Sequence, residues 1–324
     1  MTITQLRQRY EKHPNIEALN RILDDTTLKH FYCGGLSASS SSLLASVLIS
    51  KEKYPFVFIL GNLEEAGYFY HDLVQLLGEE KVLFFPSSFR RAIKYGQKDA
   101  ANEILRTEVL SRLQKQEKGL CIVTYPDALA EKVVSQQELQ EKTLKLFQGD
   151  RVDMQFVVDV LREFNFEFVD YVYEPGQYAV RGSIIDVFSF SSEYPYRIDF
   201  FGDEIESLRT FEVQSQLSKE KRNDVVIVPD LSRGLSKQGG NLISFLAFLS
   251  ADTILAMRDF LWLRERIPTV HDEALTQQAI QSNATEDELP LSLEGKLIDG
   301  GEFSLRALDF RRLECGTHPI GSVD

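Results

Sequence analysis

Three continuous apolar runs constrain this chain more than any other feature: PFVFIL at 55–60, KVLFFP at 81–86 and GLCIVTY at 119–125. A strand with one face in water alternates apolar and polar residues, whereas a run apolar at every position must be covered on both faces. Between the runs, 64–77 and 99–116 have the length and pattern of helices. Before them, HFYCGG at 30–35 reads as a short strand ending in glycines, followed by an apolar, serine-rich helix at 36–49. Strands alternating with helices predict an α/β fold with a parallel sheet covered on both sides. Residues 1–30 read as helical, with Leu6, Tyr10, Ile16, Leu19 and Leu23 apolar and Pro14 as an interruption.

The pattern changes near residue 130. A helix over 153–164 is followed by FEFVDYVY and by strands separated by short turns, including a polar turn at 190–195. This is a smaller α+β domain, mainly antiparallel. The polar stretch SQLSKEKRND at 215–224 reads as a linker or loop. The α/β style then returns in VVIVP at 225–229, a helix-like 241–249 and the segment from 251. We therefore expect three stretches: 1–129, the α+β domain at 130–215, and 216–324. A chain of 324 residues accommodates about two or three domains. Pattern alone leaves an insertion and three consecutive domains both open.

The formal net charge is -13. Phosphate neutralisation supplies most nonspecific affinity for nucleic acid, so this acidity argues against tight DNA binding and favours a protein partner. No apolar run approaches the roughly 20 residues of a membrane span, and the polar N-terminus lacks a secretory signal. Cys33, Cys121 and Cys315 lie far apart, as reduced thiols of a cytoplasmic protein would.

In YRIDFF the period of two puts Tyr196, Ile198 and Phe200 on one strand face and Arg197, Asp199 and Phe201 on the other. An arginine, a carboxylate and an aromatic together do not read as core. Arginine beside an exposed aromatic is the composition of a protein-binding hot spot. Strict alternation sets Arg181 with Ile185 and Val187, and a bulge at Gly182 would switch its face. Arg181 reads either as a partner of Asp186 or Asp199 or as an anchor for another protein. Loss of Arg197 is expected to affect folding little.

The pattern Gly176, Tyr178, Arg181, Gly182, Asp186 and Phe188, followed by PYRIDFFGDEIESLRTF at 195–211, resembles the module shared by UvrB and the bacterial transcription-repair coupling factors. A weaker resemblance, in the order and spacing of elements, extends over the whole chain to the N-terminal third of those factors. The resemblance implies a parallel-sheet, helicase-like domain interrupted by an α+β domain that docks UvrA. It implies Arg181 and Arg197 as the docking arginines, with Phe201 the neighbouring aromatic. It further implies that RNA polymerase and DNA are engaged by segments outside this chain. Longer members of the family resemble ATP-dependent DNA translocases.

A phosphate-binding loop needs a lysine after its second glycine to reach the β- and γ-phosphates. Counting from Gly35, Ser40 stands at the second glycine, Ser41 at the lysine and Ser42 at the hydroxyl position. The junction therefore reads as a degenerate nucleotide loop, with neither hydrolysis nor a cofactor expected. The alternative is a DNA-binding, UvrB-like module with residual nucleotide binding. No aromatic-rich hairpin insertion of the UvrB type appears after Ser42 or before Gly119. Asp272-Glu273-Ala274-Leu275, after a short Thr269–His271 run, reads as an acidic helix start rather than a metal-binding box. Cys315 and His318 have metal-like spacing but no second pair, so no metal is expected.

Overall fold

The computed structural model describes residues 2–36, 39–88, 100–231, 241–282, 295–298 and 300–316. Ser37, Ala38, Asp99 and His318, which entered the expectations above, lie outside these residues, as does the 89–99 stretch before Gly119. The side chains of His271, Ala274 and Leu275 do so too. The chain divides into two compact units, one of residues 1–97, 112–133 and 242–324, the other of 98–111 and 134–241.

The first unit is built on six parallel strands in the order His30–Tyr32, Arg311–Glu314, Ile254–Met257, Phe56–Ile59, Cys121–Thr124 and Val82–Phe84. Phe56–Ile59, Cys121–Thr124 and Ile254–Met257 are buried at every position, which is why their sequences show no alternation. The helices Ser40–Ile49 and Leu63–Leu77 bury Leu44, Val47, Leu48, Ala66, Phe69 and Leu73. Asn62 caps the second of these by accepting from the Glu65 N–H at 3.0 Å, ahead of two acidic residues that suit the positive helix end.

The strand Arg311–Glu314 lies between apolar neighbours yet reads RRLE. Arg312 lies 4.3 Å from the Phe260 ring centre, and the other two charged side chains meet polar groups. Arg311 donates to the backbone oxygens of Leu23, Leu28 and Asp25 at 2.8, 3.3 and 3.2 Å. Glu314 Oε1 lies 2.6 Å from His30 Nε2, and its Oε2 accepts from the Phe260 N–H. Cys121 is buried and Cys315 half-buried, and burial pushes the Cys315 thiol up to about 12, far from the reactive thiolate form.

Three expectations for the α/β part are corrected. Asp224–Ile227, which overlaps the VVIVP stretch, pairs antiparallel with Leu144–Phe147 and packs in the core of the second unit, so the α/β pattern does not resume there. Asp272 and Glu273 sit inside the helix Phe260–Ser282 rather than at a helix start, and Thr269 belongs to that helix. Arg266 donates to both Glu273 oxygens, at 3.1 and 3.4 Å, so this acidic pair is part of a helix surface. The helix expected at 241–249 is a short strand, Leu242–Ile243, and a single turn, Phe245–Phe248.

The second unit contains a six-stranded sheet in the order Ser218–Arg222, Glu204–Phe211, Tyr196–Phe201, Ile184–Val187, Gln177–Arg181 and Glu167–Phe168. All pairings are antiparallel except the last. One face is covered by the helix Met154–Glu163, whose Val157, Val158 and Leu161 meet Tyr178, Ile185, Ile198 and Leu208. Helical β-branched residues each cost roughly 0.5 kcal/mol relative to alanine. Burying such a side chain contributes about 1.5–3 kcal/mol, so packing decides in favour of the helix. The 215–224 linker is corrected too: Ser218–Arg222 is the edge strand, paired with Glu204–Phe211 and exposed at all five positions. Its charged sequence follows from its place, since lysines on an edge discourage pairing with another chain.

Candidate docking face

Sheet register sets which side chains stand opposite the helix. Arg197 pairs across to Asp186 on one side and to Arg209 on the other, and Asp199 pairs with Ile184 and Ser207. Asp186 also pairs with Ala179, and Arg181 with Ile184. Cross-strand partners share a face. Arg181, Asp186, Arg197, Asp199 and Arg209 therefore gather on the side away from the helix.

Arg181 reaches this side through a two-residue hairpin turn, Gly182–Ser183, and not through a bulge. The Gln177–Arg181 and Ile184–Val187 strands are separate, and Gly182 takes φ +61, a left-handed value that glycine adopts without strain. Strict alternation through residue 182 fails because the chain reverses there.

At the centre is Asp186, whose side chain is fully enclosed. Arg197 grips it with two parallel bonds, Nε to Oδ1 at 2.7 Å and Nη2 to Oδ2 at 2.8 Å. Arg181 Nη2 donates to the same Oδ2. Arg197 also donates from Nη1 to the Gln216 carbonyl at 3.1 Å, and its guanidinium lies 4.5 Å from the Phe211 ring centre. Gln216 is itself fixed, since its Nε2 donates to the Val172 and Val213 carbonyls. The bonds to Asp186 hold the Arg197 guanidinium even further above its ordinary pKa, so it is charged at every working pH. Arg181 donates from Nη1 to the Asp170 carbonyl and lies 5.0 Å from the Tyr171 ring centre. Beside them, Asp199 receives Arg209 at 3.3 Å and the Ser183 hydroxyl at 3.2 Å.

The two arginines are not equivalent. The Arg197 side chain is 14% exposed and that of Arg181 36%. Arg197 completes a buried ion cluster, which reverses the expectation that its loss would affect folding little. Phe201 is 79% exposed at the end of its strand, and the Phe200 N–H donates to the Ser183 carbonyl, placing this end beside the Gly182–Ser183 turn. Tyr171, 53% exposed, joins the same face through Arg181. It was missed because FEFVDYVY carries no signal telling which of its aromatics remain in water. Asp186 did leave a trace, as a lone carboxylate inside the apolar run SIIDVF.

An arginine-rich, aromatic-edged face on this strand order belongs to a segment that comparisons with known proteins recognise. Residues 144–232 match the family model of the UvrB interaction domain. The UvrB interaction domain match thus spans the sheet, its covering helix and the candidate docking face. The chain is also similar to proteins named transcription-repair-coupling factor. It is 29% identical over 235 residues to that of Bacillus subtilis strain 168, covering 69% of this chain and 20% of the relative. For Escherichia coli K12 the figures are 28% over 198 residues, 60% and 17%, and for Haemophilus influenzae 32% over 155 residues, 47% and 13%. The chain thus spans a fifth or less of the length of these relatives.

The serine-rich junction of the α/β unit has a different character. Gly35 takes φ +80, and the helix begins at Ser40. Ser42 is buried and donates to Asp72 Oδ2 at 2.8 Å, so the hydroxyl at the magnesium-binding position serves the fold. Ser41 lines a cavity of about 170 Å³ whose walls are mostly apolar, including Leu44, Leu48, Phe58, Phe69 and Met257. Among the described residues, no cluster of three or more His, Cys, Asp or Glu side chains could hold a metal ion. No helix among them is long and apolar enough to cross a membrane.

Proposed function

We propose that this chain is the UvrA-recruiting part of a transcription-repair coupling factor, linking stalled RNA polymerase to nucleotide excision repair. The observation that carries the reading is the UvrB interaction domain match over the sheet that presents Arg181 and Phe201. The similarity to proteins named transcription-repair-coupling factor supports the biological setting. RNA polymerase and DNA would be engaged by other parts of a longer protein. Arg181 and Phe201 are the direct contacts in this reading, and Arg197 holds the Arg181 site together from below. The domain expected at 130–215 is read as inserted into an α/β domain of 1–129 and 216–324. That segments of the first unit lie on both sides of 134–241 supports an insertion, while the second unit also takes in 98–111 and extends to 241 rather than 215.

The test is co-sedimentation of the purified chain with purified UvrA. A one-to-one complex that survives moderate salt is the expected result, and separate sedimentation of two folded proteins would refute the reading. This chain would not itself hydrolyse ATP, because Ser41 gives no charge where phosphoryl transfer needs a lysine. Millimolar MgATP should accordingly raise the melting temperature by less than about 1 °C, since a ligand well below its dissociation constant adds almost no stability. A rise of several degrees would revive the nucleotide-binding alternative.

A further inference from the structure

We propose that Asp186 is a positioning residue for docking, which together with Arg197 orients Arg181 to receive a carboxylate of the partner. The inference rests on the docking reading above. Asp186 has no exposed surface, so it touches no partner and acts only through Arg181 and Arg197. Each guanidinium carries five N–H donors. Arg181 spends two on Asp186 and Asp170, and Arg197 three on Asp186 and Gln216. Unused donors remain on Arg181, the more exposed of the two, whose side chain is immobilised by the shared carboxylate and by Tyr171. A planar fork held in place loses little freedom when it binds a second carboxylate, and bidentate arginine–carboxylate pairing is geometry-dependent. By the same cross-strand rule the face bears Arg181, Arg197, Arg209 and Lys221 against Asp186, Asp199 and Glu204. It is therefore locally cationic on a chain of net charge -13, which selects an acidic partner surface.

Two accounts of Asp186 predict opposite signs. If the arginines act only as charges, Asp186→Asn removes a buried negative charge and binding to an acidic surface tightens. If Asp186 orients Arg181, the same substitution weakens binding. Calorimetric titration with UvrA, at a temperature where circular dichroism shows each variant fully folded, separates the two. We expect Asp186→Asn to weaken binding about tenfold or more, and to have almost no further effect in an Arg181→Ala background, because the two act through one contact. Arg181→Lys keeps the charge without the fork and should also weaken binding about tenfold. Should Asp186→Asn fail to fold, this last variant decides. Wild-type or tighter affinity in Asp186→Asn, additive losses in the double variant, or wild-type affinity in Arg181→Lys would each overturn the proposal while leaving docking intact. Failure of the folded wild type to bind UvrA would overturn docking, and this inference with it.

Discussion

Arg197→Ala should destabilise the antiparallel domain by about 3–5 kcal/mol, the usual cost of stripping one partner from a buried ion pair. The substitution removes two of the three side-chain bonds to Asp186 and leaves that enclosed carboxylate with Arg181 alone. It also removes the guanidinium from the Phe211 ring, worth a further ~0.5–2 kcal/mol. An exposed pair such as Arg162–Asp159, with both side chains more than half in solvent, contributes about 1 kcal/mol or less. Urea unfolding of Arg197→Ala and of Arg162→Ala distinguishes the classes within one protein. A loss below about 1 kcal/mol for Arg197→Ala would mean that water reaches Asp186 and that the buried cluster is wrongly described.

Phe201→Ala should do the reverse. With 79% of the residue in solvent, truncation should change stability by no more than about 0.5 kcal/mol. It should nevertheless cost ~2 kcal/mol or more of UvrA affinity, roughly thirtyfold, as aromatic anchors do when they leave water only in the complex. Measured on one preparation, unchanged unfolding with weakened binding identifies a contact residue. Equal affinity would remove Phe201 from the docking face.

The α/β part was legible because its strands are covered on both faces. Phe56–Ile59 and Cys121–Thr124 show burial at every position in sequence and structure alike. Arg311–Glu314 escaped notice for the opposite reason: Arg311 donates to the backbone oxygens of Leu23, Leu28 and Asp25 and Glu314 lies against His30, all distant in sequence. The edge strand Ser218–Arg222 is solvated on both faces, so its composition is that of a loop. At the docking face, alternation correctly separated Arg197 and Phe201 from Tyr196, Ile198 and Phe200. It could not show that Arg197 closes on Asp186, eleven residues earlier, because that pairing depends on a strand register fixed only when the sheet forms. Gly182 was recognised as a break in the pattern, yet only the backbone shows a chain reversal there.

Calorimetric titration of UvrA with the wild-type chain, and with Arg181→Glu, tests the central claim most directly. Arg181 is the more exposed of the paired arginines, so the reversed charge strikes the docking face while Arg197 still holds Asp186. The account predicts micromolar or tighter binding by the wild type and no detectable heat from a folded Arg181→Glu. Equal binding by both, or none by the folded wild type, would contradict it.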